Sequence, residues 1–298
     1  MFKHLLVPLD GSHLAEAALP AAAYLAECLN ADVTLIHVIE ENAPIQVHGD
    51  RHLTDSDEAY AYLAGLAAKV FPPTIKVDQH VHTDEVKDVA QSIVAHAGEF
   101  KPDLIILCSH GRGGLHDFLV GSIAQQVIGQ GSTPVLLIHP REDGKNEFAL
   151  HSMLFPMDGK PGHEQGLEVA AELAKVCSAS LTLYHVVPTL GTLAGENAAT
   201  GRMLPGTMSA FLDINEESAA RFLQSLVDKV RDEKLSVNID VGRGDPAPTI
   251  ADAARDQGID LIVLGTHGKV GTKAFWSGSV APKLSTLTTI PILFVPVD

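Results

Sequence analysis

The sequence contains few cysteines, few basic residues and no long apolar run. Its three cysteines are too few, and odd in number, for a disulfide framework. This count favours a reducing compartment, and we expect the cytoplasm. No apolar run approaches the roughly 20 residues that a membrane helix requires. Pro8 and Asp10 interrupt the opening MFKHLLVPLDGS too early for a signal peptide, so we interpret this segment as a first strand.

The shortage of basic residues also limits the partners that the protein could have. Lys and Arg total 21 against 37 Asp and Glu, so the formal net charge is −16. Such a chain repels phosphate backbones and anionic membranes, so we expect neither nucleic acid nor a membrane as a partner. An anionic ligand would have to be held by local donors such as backbone N–H groups at helix N-termini.

The chain contains an internal repeat. The segment HLLVPLDGS at residues 4–12 returns as SMLFPMDGK at residues 152–160, an offset of 148. DVTLIHVI at residues 32–39 returns as SLTLYHVV at residues 180–187 with the same offset of 148. A repeat of this length, in a chain of 298 residues, predicts two similar domains.

Farther along, the offset increases to 157, because DLIILCSHG from Asp103 returns as DLIVLGTHG from Asp260. We place the extra residues in Pro188–Thr207, which is rich in Gly, Pro and Thr, has no clear period and predicts a loop. The polar segment Arg141–Leu150 is interpreted as a linker between the copies. The predicted domains are residues 1–141 and 150–298.

Each copy alternates short apolar runs with helical patterns. Val, Ile and Leu runs that are apolar on both faces indicate parallel strands covered by helices. The segment HLAEAALPAAAYLAECL at residues 13–29 has a helical apolar stripe, in which Pro20 is the one awkward residue. We therefore predict an α/β fold of two doubly wound, Rossmann-like domains, each with a five-stranded parallel sheet.

A glycine-rich loop follows the apolar run DLIVL in the second copy. It reads GTHGKVGTKAFWSGS, from Gly265 to Ser279, and opens a predicted helix. Glycines allow the backbone to approach a ligand closely, and free N–H groups at the helix start can hold an anion. The loop is not a Walker loop, because GxxxxGK[ST] is absent from the sequence.

With the spacing G-x-x-G, nine residues, G-[S/T], the sequence resembles a tandem member of the universal stress protein family. The resemblance covers essentially the whole chain, including the P-x-D-G end of the first strand and the HV end of the second. It implies the Rossmann-like fold called adenine nucleotide alpha hydrolase-like. It also implies a cytoplasmic, ATP-binding regulator of the stress response, with Mg²⁺ on the phosphates.

The resemblance implies the following ligand contacts in the second copy. For the adenine end, the implied residues are Pro156, Met157, Asp158 and Val186. For the ribose, the phosphates and the entrance, they are Leu264, Gly265, Gly268, Gly278, Ser279 and Val280, with His267 as a further candidate for contacting phosphate. We therefore expect the nucleotide in this copy, where every glycine of the signature is present.

The first copy has the same pattern except for its leading glycine, which is replaced by Cys108. The corresponding residues are Pro8, Leu9, Asp10, Val38, Gly111, Gly121, Ser122 and Ile123. The side chain of Cys108 could crowd the ribose or phosphate, or disfavour a positive φ. Alternatively, it is a small buried thiol at a strand end, which leaves the first site intact.

Several histidines are candidates for chemistry. His110 and His267 could act in slow hydrolysis, but a loop histidine bonded to nearby backbone is the favoured interpretation. His80 and His82 lie two apart on a predicted strand and so share a face. Two ligands do not make a metal site, and solvated strand histidines are the favoured interpretation. We assign no catalytic and no metal-binding residue.

Three functions remain open from the sequence. The first, which the resemblance implies, is an ATP-binding regulator whose last strands TPVLLIHP and IPILFVPV would join the domains as an internal pseudo-dimer. In it, ATP would bias a surface for an unidentified protein partner. The second is a weak ATPase or nucleotidyl-transfer enzyme on the same scaffold. The third is an interaction module that binds no nucleotide. Whether two chains associate as a homodimer is left open.

Overall fold

One continuous sheet crosses the molecule in the computed structural model, and ten of the described strands belong to it. The structure describes residues 1–109, 120–141, 144, 146–159, 165–193, 195–267 and 280–297. The first half of the chain contributes the strands β1 (His4–Pro8), β2 (Asp32–Glu40), β3 (Gln46–Val47), β4 (Asp50–Arg51), β5 (Val77–Val86), β6 (Leu104–Cys108) and β7 (Val135–Ile138). Its helices are α1 (Leu19–Leu29), α2 (Ser56–Val70), α3 (Val89–Phe100) and α4 (Ser122–Gln130).

The second half repeats this alternation of strands and helices. Its strands are β8 (Ser152–Met157), β9 (Ser180–Val187), β10 (Val237–Arg243), β11 (Leu261–His267) and β12 (Ile292–Val297). Its helices are α5 (Gln165–Val176), α6 (Gly195–Met203), α7 (Pro205–Val230), α8 (Pro246–Asp256) and α9 (Val280–Leu287).

The strand order of the sheet is β5-β2-β1-β6-β7-β12-β11-β8-β9-β10, and β3 pairs with β4 in a separate hairpin. Within each half, neighbouring strands of the large sheet are parallel. The repeat is visible in the register, since His4 pairs with Asp32 and Ser152 with Ser180. The predicted α/β, doubly wound, Rossmann-like fold is confirmed.

The two halves meet where β7 and β12 pair in antiparallel orientation. Leu136 lies opposite Leu293, and both are 1% exposed. This is the contact expected between the two last strands. The five strands of each half therefore do not form separate sheets but continue into one another.

Helices cover both faces of the sheet, and successive strand residues alternate between two apolar cores. In β11, Leu261 and Val263 lie in the core under α1, α2, α5 and α7, whereas Ile262 and Leu264 lie in the core under α3, α4, α8 and α9. Central strands such as β6 and β7 are buried on both faces and are apolar along their whole length, whereas the edge strands β5 and β10 carry polar residues.

The helix predicted over residues 13–29 is divided at its proline. A 3-10 turn covers Ala15–Ala18, and α1 begins at Leu19, which places Pro20 in the first turn of the helix. At this position the missing N–H of proline would have no intrahelical partner in any case. The awkward residue of the sequence pattern is thus accommodated at a helix start.

The prediction of a loop over Pro188–Thr207 was wrong for most of that segment. α6 occupies Gly195–Met203, and α7 begins at Pro205 and continues for 26 residues. Leu193 and Met208 pack near Gly201, so tertiary contacts support a helix whose composition shows no apolar stripe. The segment Pro188–Leu193 retains irregular structure, held by a hydrogen bond from Thr189 N to Thr192 Oγ1 at 2.8 Å.

The second part of the predicted linker packs against the first half. The rings of Phe148 and Tyr24 meet edge to face with centroids 5.6 Å apart. Tyr24 also donates a hydrogen bond to the carbonyl of Leu150 at 3.4 Å, and Leu150 is 1% exposed. Residues 146–150 therefore serve as packing between the halves. Among the described residues, no helix is both long and apolar enough to cross a membrane.

His139, directly after β7, is buried at the junction of the two halves. It is 5% exposed, and the backbone of Ser285 in α9 lies beside it. Burial lowers the pKa of His139 to about 4, against the smaller opposing effect of Ser285. A histidine in the unfolded chain has a pKa of about 6.5. Above that value both states are neutral, and below it the unfolded state binds more protons, so stability falls as the pH falls towards 4.

We predict that His139→Leu weakens the loss of stability on acidification. Between pH 7 and about pH 4.5, the wild-type free energy of unfolding should fall by about 2 kcal/mol more than that of the variant. Urea unfolding at several pH values measures the difference. His151→Leu is the matched control, because it makes the same substitution at an exposed histidine. Equal pH dependence in wild type and His139→Leu would contradict the assignment.

Candidate functional site

In each half, a crevice is expected where the strand order reverses, at the carboxyl ends of β1 and β6 and of β8 and β11. In the second half, Met157 pairs with His185, so Asp158 and Val186 follow at the same level of adjacent strands. On the other side, Ile262 pairs with Leu154, which places Leu264 and Gly265 beside the end of β8. The structure thus brings together the predicted residues Pro156, Met157, Asp158, Val186, Leu264 and Gly265.

Some of these residues share the face of the sheet on which α9 lies. Val186, Leu264 and Val280 belong to or pack against the same core, the one under α8 and α9. Pro156 alternates with Phe155 and Met157 of the opposite core, so it faces the same side as Leu264. Val280 is the first described residue of α9, so the described part of this helix begins beside an apolar wall. This is an arrangement suited to a flat apolar ring next to an anionic group.

A tight turn follows the first strand of each half. Gly11 and Gly159 have φ values of +89° and +74°, a conformation that other residues rarely adopt. A methyl group at Gly159 would also lie 3.2 Å from Cε1 of His185. The repeated P-x-D-G pattern is therefore explained by backbone geometry, with the aspartate held at the mouth of the crevice.

His37 and His185 have a structural role that the sequence analysis missed. Nδ1 of His37 lies 2.8 Å from the carbonyl oxygen of Leu9, and Nδ1 of His185 lies 2.8 Å from that of Met157. In both halves, the second strand thus holds the backbone immediately before the aspartate. The signal was available in the repeated HV segments, which have the same histidine in both copies.

Gly265 is inside β11, which continues to His267, and not at the strand end. It faces α5, where a methyl group added at Gly166 would lie 3.2 Å from Cε2 of Phe155 and 3.5 Å from the Cα of Gly265. The absence of side chains at Gly166 and Gly265 therefore allows α5 to pack closely on the sheet. This packing role is separate from the predicted ligand contact.

Cys108 corresponds to Gly265, and Ala18 corresponds to Gly166 at the offset of 148. Both side chains are buried in the core of the first half, with exposures of 5% and 0%. Burial raises the pKa of the Cys108 thiol to about 12, with a further contribution from Asp10. Cys108 is thus a small neutral thiol in the core of the first half.

The hairpin formed by β3 and β4 lies over the end of β1 in the first half. Asp50 accepts a hydrogen bond from the backbone N–H of His13 at 2.9 Å and lies 3.0 Å from its Nδ1. Leu53 packs so closely on Gly11 that an added Cβ would lie 2.8 Å from its Cγ. Hydrogen bonding to His13 lowers the pKa of Asp50 and raises that of His13.

Asp10, the aspartate of the first turn, has local partners. Its Oδ1 accepts hydrogen bonds from the backbone N–H and the hydroxyl of Ser12 at 2.9 and 2.6 Å, and its Oδ2 lies 4.0 Å from Nε2 of His48. Asp158, its counterpart, is exposed, and the chain after β9 forms α6 in place of a hairpin. The mouths of the two crevices are therefore built differently.

In the first half, α4 begins at the predicted Gly-Ser pair. Gly121 is the N-cap, with no side-chain hydrogen bond to the first turn among the described contacts, and Ser122 and Ile123 begin the helix. Val38, 7% exposed, lies on the same face of the sheet as Ile123. Four further residues of the predicted sites, Gly111, Gly268, Gly278 and Ser279, lie outside the described residues, as does His110.

Comparison with known proteins gives consistent matches along the chain. A family model described as the universal stress protein family matches residues 1–139 and 150–296. A universal stress protein of Mycolicibacterium smegmatis is 25% identical over 306 residues, 98% of this chain and 96% of that protein. One from Bacillus subtilis is 29% identical over 149 residues, which cover 49% of this chain and 98% of that protein. The crystal structure of a universal stress protein from Archaeoglobus fulgidus shares the fold, with a TM-score of 0.67 at 18% identity over 98% of both chains.

We predict that Gly166→Val destabilises the protein by about 1–3 kcal/mol, because the added side chain meets Phe155 and Gly265 in a packed layer. The matched control is Gly65→Val in α2, where a Cβ meets nothing within 4 Å. Urea unfolding should show a loss of stability for the first variant alone. An equal effect of both substitutions would mean that general helix propensity, and not close packing, explains Gly166.

We also predict that Cys108 resists alkylation in the folded protein. The thiolate is the nucleophile, and burial raises the pKa of both Cys108 and Cys177 to about 12. Cys28 is half-buried and provides the internal comparison. After brief treatment with iodoacetamide at pH 8, peptide mass spectrometry should find Cys108 labelled only when denaturant is present. Labelling of native Cys108 as fast as Cys28 would contradict its placement in the core.

Proposed function

The chain belongs to the universal stress protein family, as a tandem member, and from this premise we propose that it is an ATP-binding regulator with its nucleotide in the second half. The adenine ring would contact the apolar face formed by Pro156, Val186 and Leu264. The phosphates, with Mg²⁺, would lie at the start of α9. We propose that it acts in the cytoplasm.

The observation that carries this assignment is the difference between the two crevices. In the first half, Leu53, which follows the hairpin, packs on Gly11, and Asp10 is half-buried. In the second half, Asp158 is exposed and every glycine of the signature is present in the sequence. These differences favour the second crevice as the one that receives a nucleotide.

The net charge of −16 also favours a cradle made of backbone donors. A helix N-terminus presents unpaired N–H groups and the positive end of the helix dipole, so it can bind phosphate without a basic side chain. α9 begins at Val280, directly beside the apolar face. Its position would allow one ligand to contact both the face and the helix start.

Nucleotide binding would regulate the protein by changing the populations of its conformational states. A nucleotide that contacts β8, β9, β11 and α9 together would favour the arrangement in which these elements are close, and so bias a surface for a protein partner. We propose that the two halves act as domains, residues 1–141 and 150–298, joined as an internal pseudo-dimer. Enzymatic turnover is the alternative, with His267 as its candidate residue.

We predict that the nucleotide-free full chain binds one MgATP, as measured by isothermal titration calorimetry. Gly278→Val should weaken binding by more than about tenfold, because a Cβ and two methyl groups would occupy the space needed by phosphate at the helix start. Gly121→Val is the matched substitution in the first half and should leave the affinity and the stoichiometry of one unchanged. Circular dichroism confirms that both variants fold.

The other outcomes separate the alternatives. Two MgATP per chain, with each variant removing one, would contradict the assignment to the second half alone. Binding that neither variant affects would contradict a phosphate site at the helix start. The absence of binding would favour an interaction module that binds no nucleotide. ATP turnover above a trace rate that is lost in His267→Ala would favour the enzyme.

A further inference from the structure

Three histidines of the first half converge on one point of the sheet, away from the glycine loop. His80 and His82 lie on β5, and His96 lies on α3, where its ring contacts the rings of both strand histidines at centroid distances of 4.8 and 4.9 Å. One ring nitrogen from each residue can be chosen so that all three lie within 4.8 Å of one another. We propose that His80, His82 and His96 form a binding site for a divalent transition-metal ion, with Zn²⁺ as the ion it would take.

The strand and helix place all three side chains on the same side of the sheet. Val81, between the two strand histidines, belongs to the core on the opposite face. His80 and His82 pair with Ile36 and Val38, which lie in the core under α3. His80 and His82, predicted to be solvated strand histidines, are half-buried and only partly exposed, and His96 is 5% exposed.

Hydrogen bonds select the nitrogen of His96 that could bind a metal. Its Nδ1 lies 2.8 Å from the carbonyl oxygen of Ser92. A carbonyl can only accept, so Nδ1 carries the proton and Nε2 of the neutral ring carries the lone pair. Histidine ligands in metal sites usually donate their second ring N–H to a carbonyl or carboxylate, which fixes the ring. His96 already has this arrangement.

The distance between His80 and His96 is close to that of a metal site. Their Nε2 atoms are 3.0 Å apart, which corresponds to a hydrogen bond from His80 to His96. Two nitrogens bound tetrahedrally to Zn²⁺ at about 2.0–2.1 Å are separated by about 3.3 Å. An opening of about 0.3 Å would therefore admit the ion, in place of the shared proton. His82 would bring a ring nitrogen to the ion by rotating its half-buried ring.

The surroundings of His80 favour its neutral imidazole, which is the form that binds metals. Burial and the neighbouring His96 and His82 lower the pKa of His80, against an opposing effect of Glu99. Phe100 packs on the rings of His80 and His96 with centroid distances of 4.9 and 5.4 Å, which restricts their motion. Three imidazoles suit Zn²⁺ and related ions, but not Mg²⁺, and leave a fourth position for water.

The second half shows that the fold itself does not require these histidines. By strand register and by the offset of 157 in the helix, the corresponding residues are Asp240, Gly242 and Ala253. The same strand and helix pack there without an imidazole. Three histidines that meet in one copy alone are therefore explained better by a ligand than by the packing of β5 against α3.

The test is a titration of Zn²⁺ alone into the chelator-treated full chain, measured by isothermal titration calorimetry. We expect one Zn²⁺ per chain, unaffected by excess Mg²⁺, and a loss of affinity of more than about tenfold in His82→Ala and in His80→Gln. Both residues are half-buried, and circular dichroism shows whether the variants fold. The control His151→Ala replaces an exposed histidine far from the cluster along the chain and should bind as the wild type does.

A spectroscopic measurement makes the test independent of heat signals. Co²⁺ in place of Zn²⁺ should give the intense visible absorption of a four-coordinate site in the wild type and in His151→Ala, and lose it in His82→Ala. Absence of binding, or equal Zn²⁺ affinity in wild type and both cluster variants, would overturn the proposal. The outcome is separate from the proposed nucleotide function, because none of the substituted residues belongs to the predicted ATP sites.

Discussion

The antiparallel pairing of β7 with β12 is the contact on which the rest of the architecture depends. Each strand is the last of its half, and without the other it would present a row of unpaired backbone groups at a sheet edge. Pairing of Leu136 with Leu293 hides both edges and buries the apolar side chains on each face. The two halves are thereby held as parts of one sheet and not as domains on a flexible tether.

This pairing also separates the two crevices. Because the halves run in opposite directions across the seam, the carboxyl ends of their parallel strands lie at opposite edges of the sheet. The segments that follow the second strand of each half can therefore differ. The first half has the β3–β4 hairpin near Asp10, and the second has α6 and the long α7 after β9. The repeated framework is retained, while these connecting segments differ.

The sequence predicted the framework well because the repeat and the apolar runs both report on buried strands. Three features needed the structure, each for a physical reason. α6 has no apolar stripe, so its helix depends on tertiary contacts such as those around Gly201. The role of Gly265 depends on Gly166, which is distant along the chain. His96 could not be joined to His80 and His82 without knowing that α3 places its ring against theirs.

The two proposed ligands occupy different halves, which constrains how they could affect one another. The histidine cluster lies one strand from Val38 in the first half, whereas the favoured nucleotide crevice lies across the seam. Direct contact between the ligands is therefore excluded, and any coupling would have to pass through the β7–β12 pair and the packing around it. Such coupling must be reciprocal: if Zn²⁺ changed the affinity for ATP, ATP would change the affinity for Zn²⁺ by the same factor. Rigid pairing at the seam favours sites that bind independently.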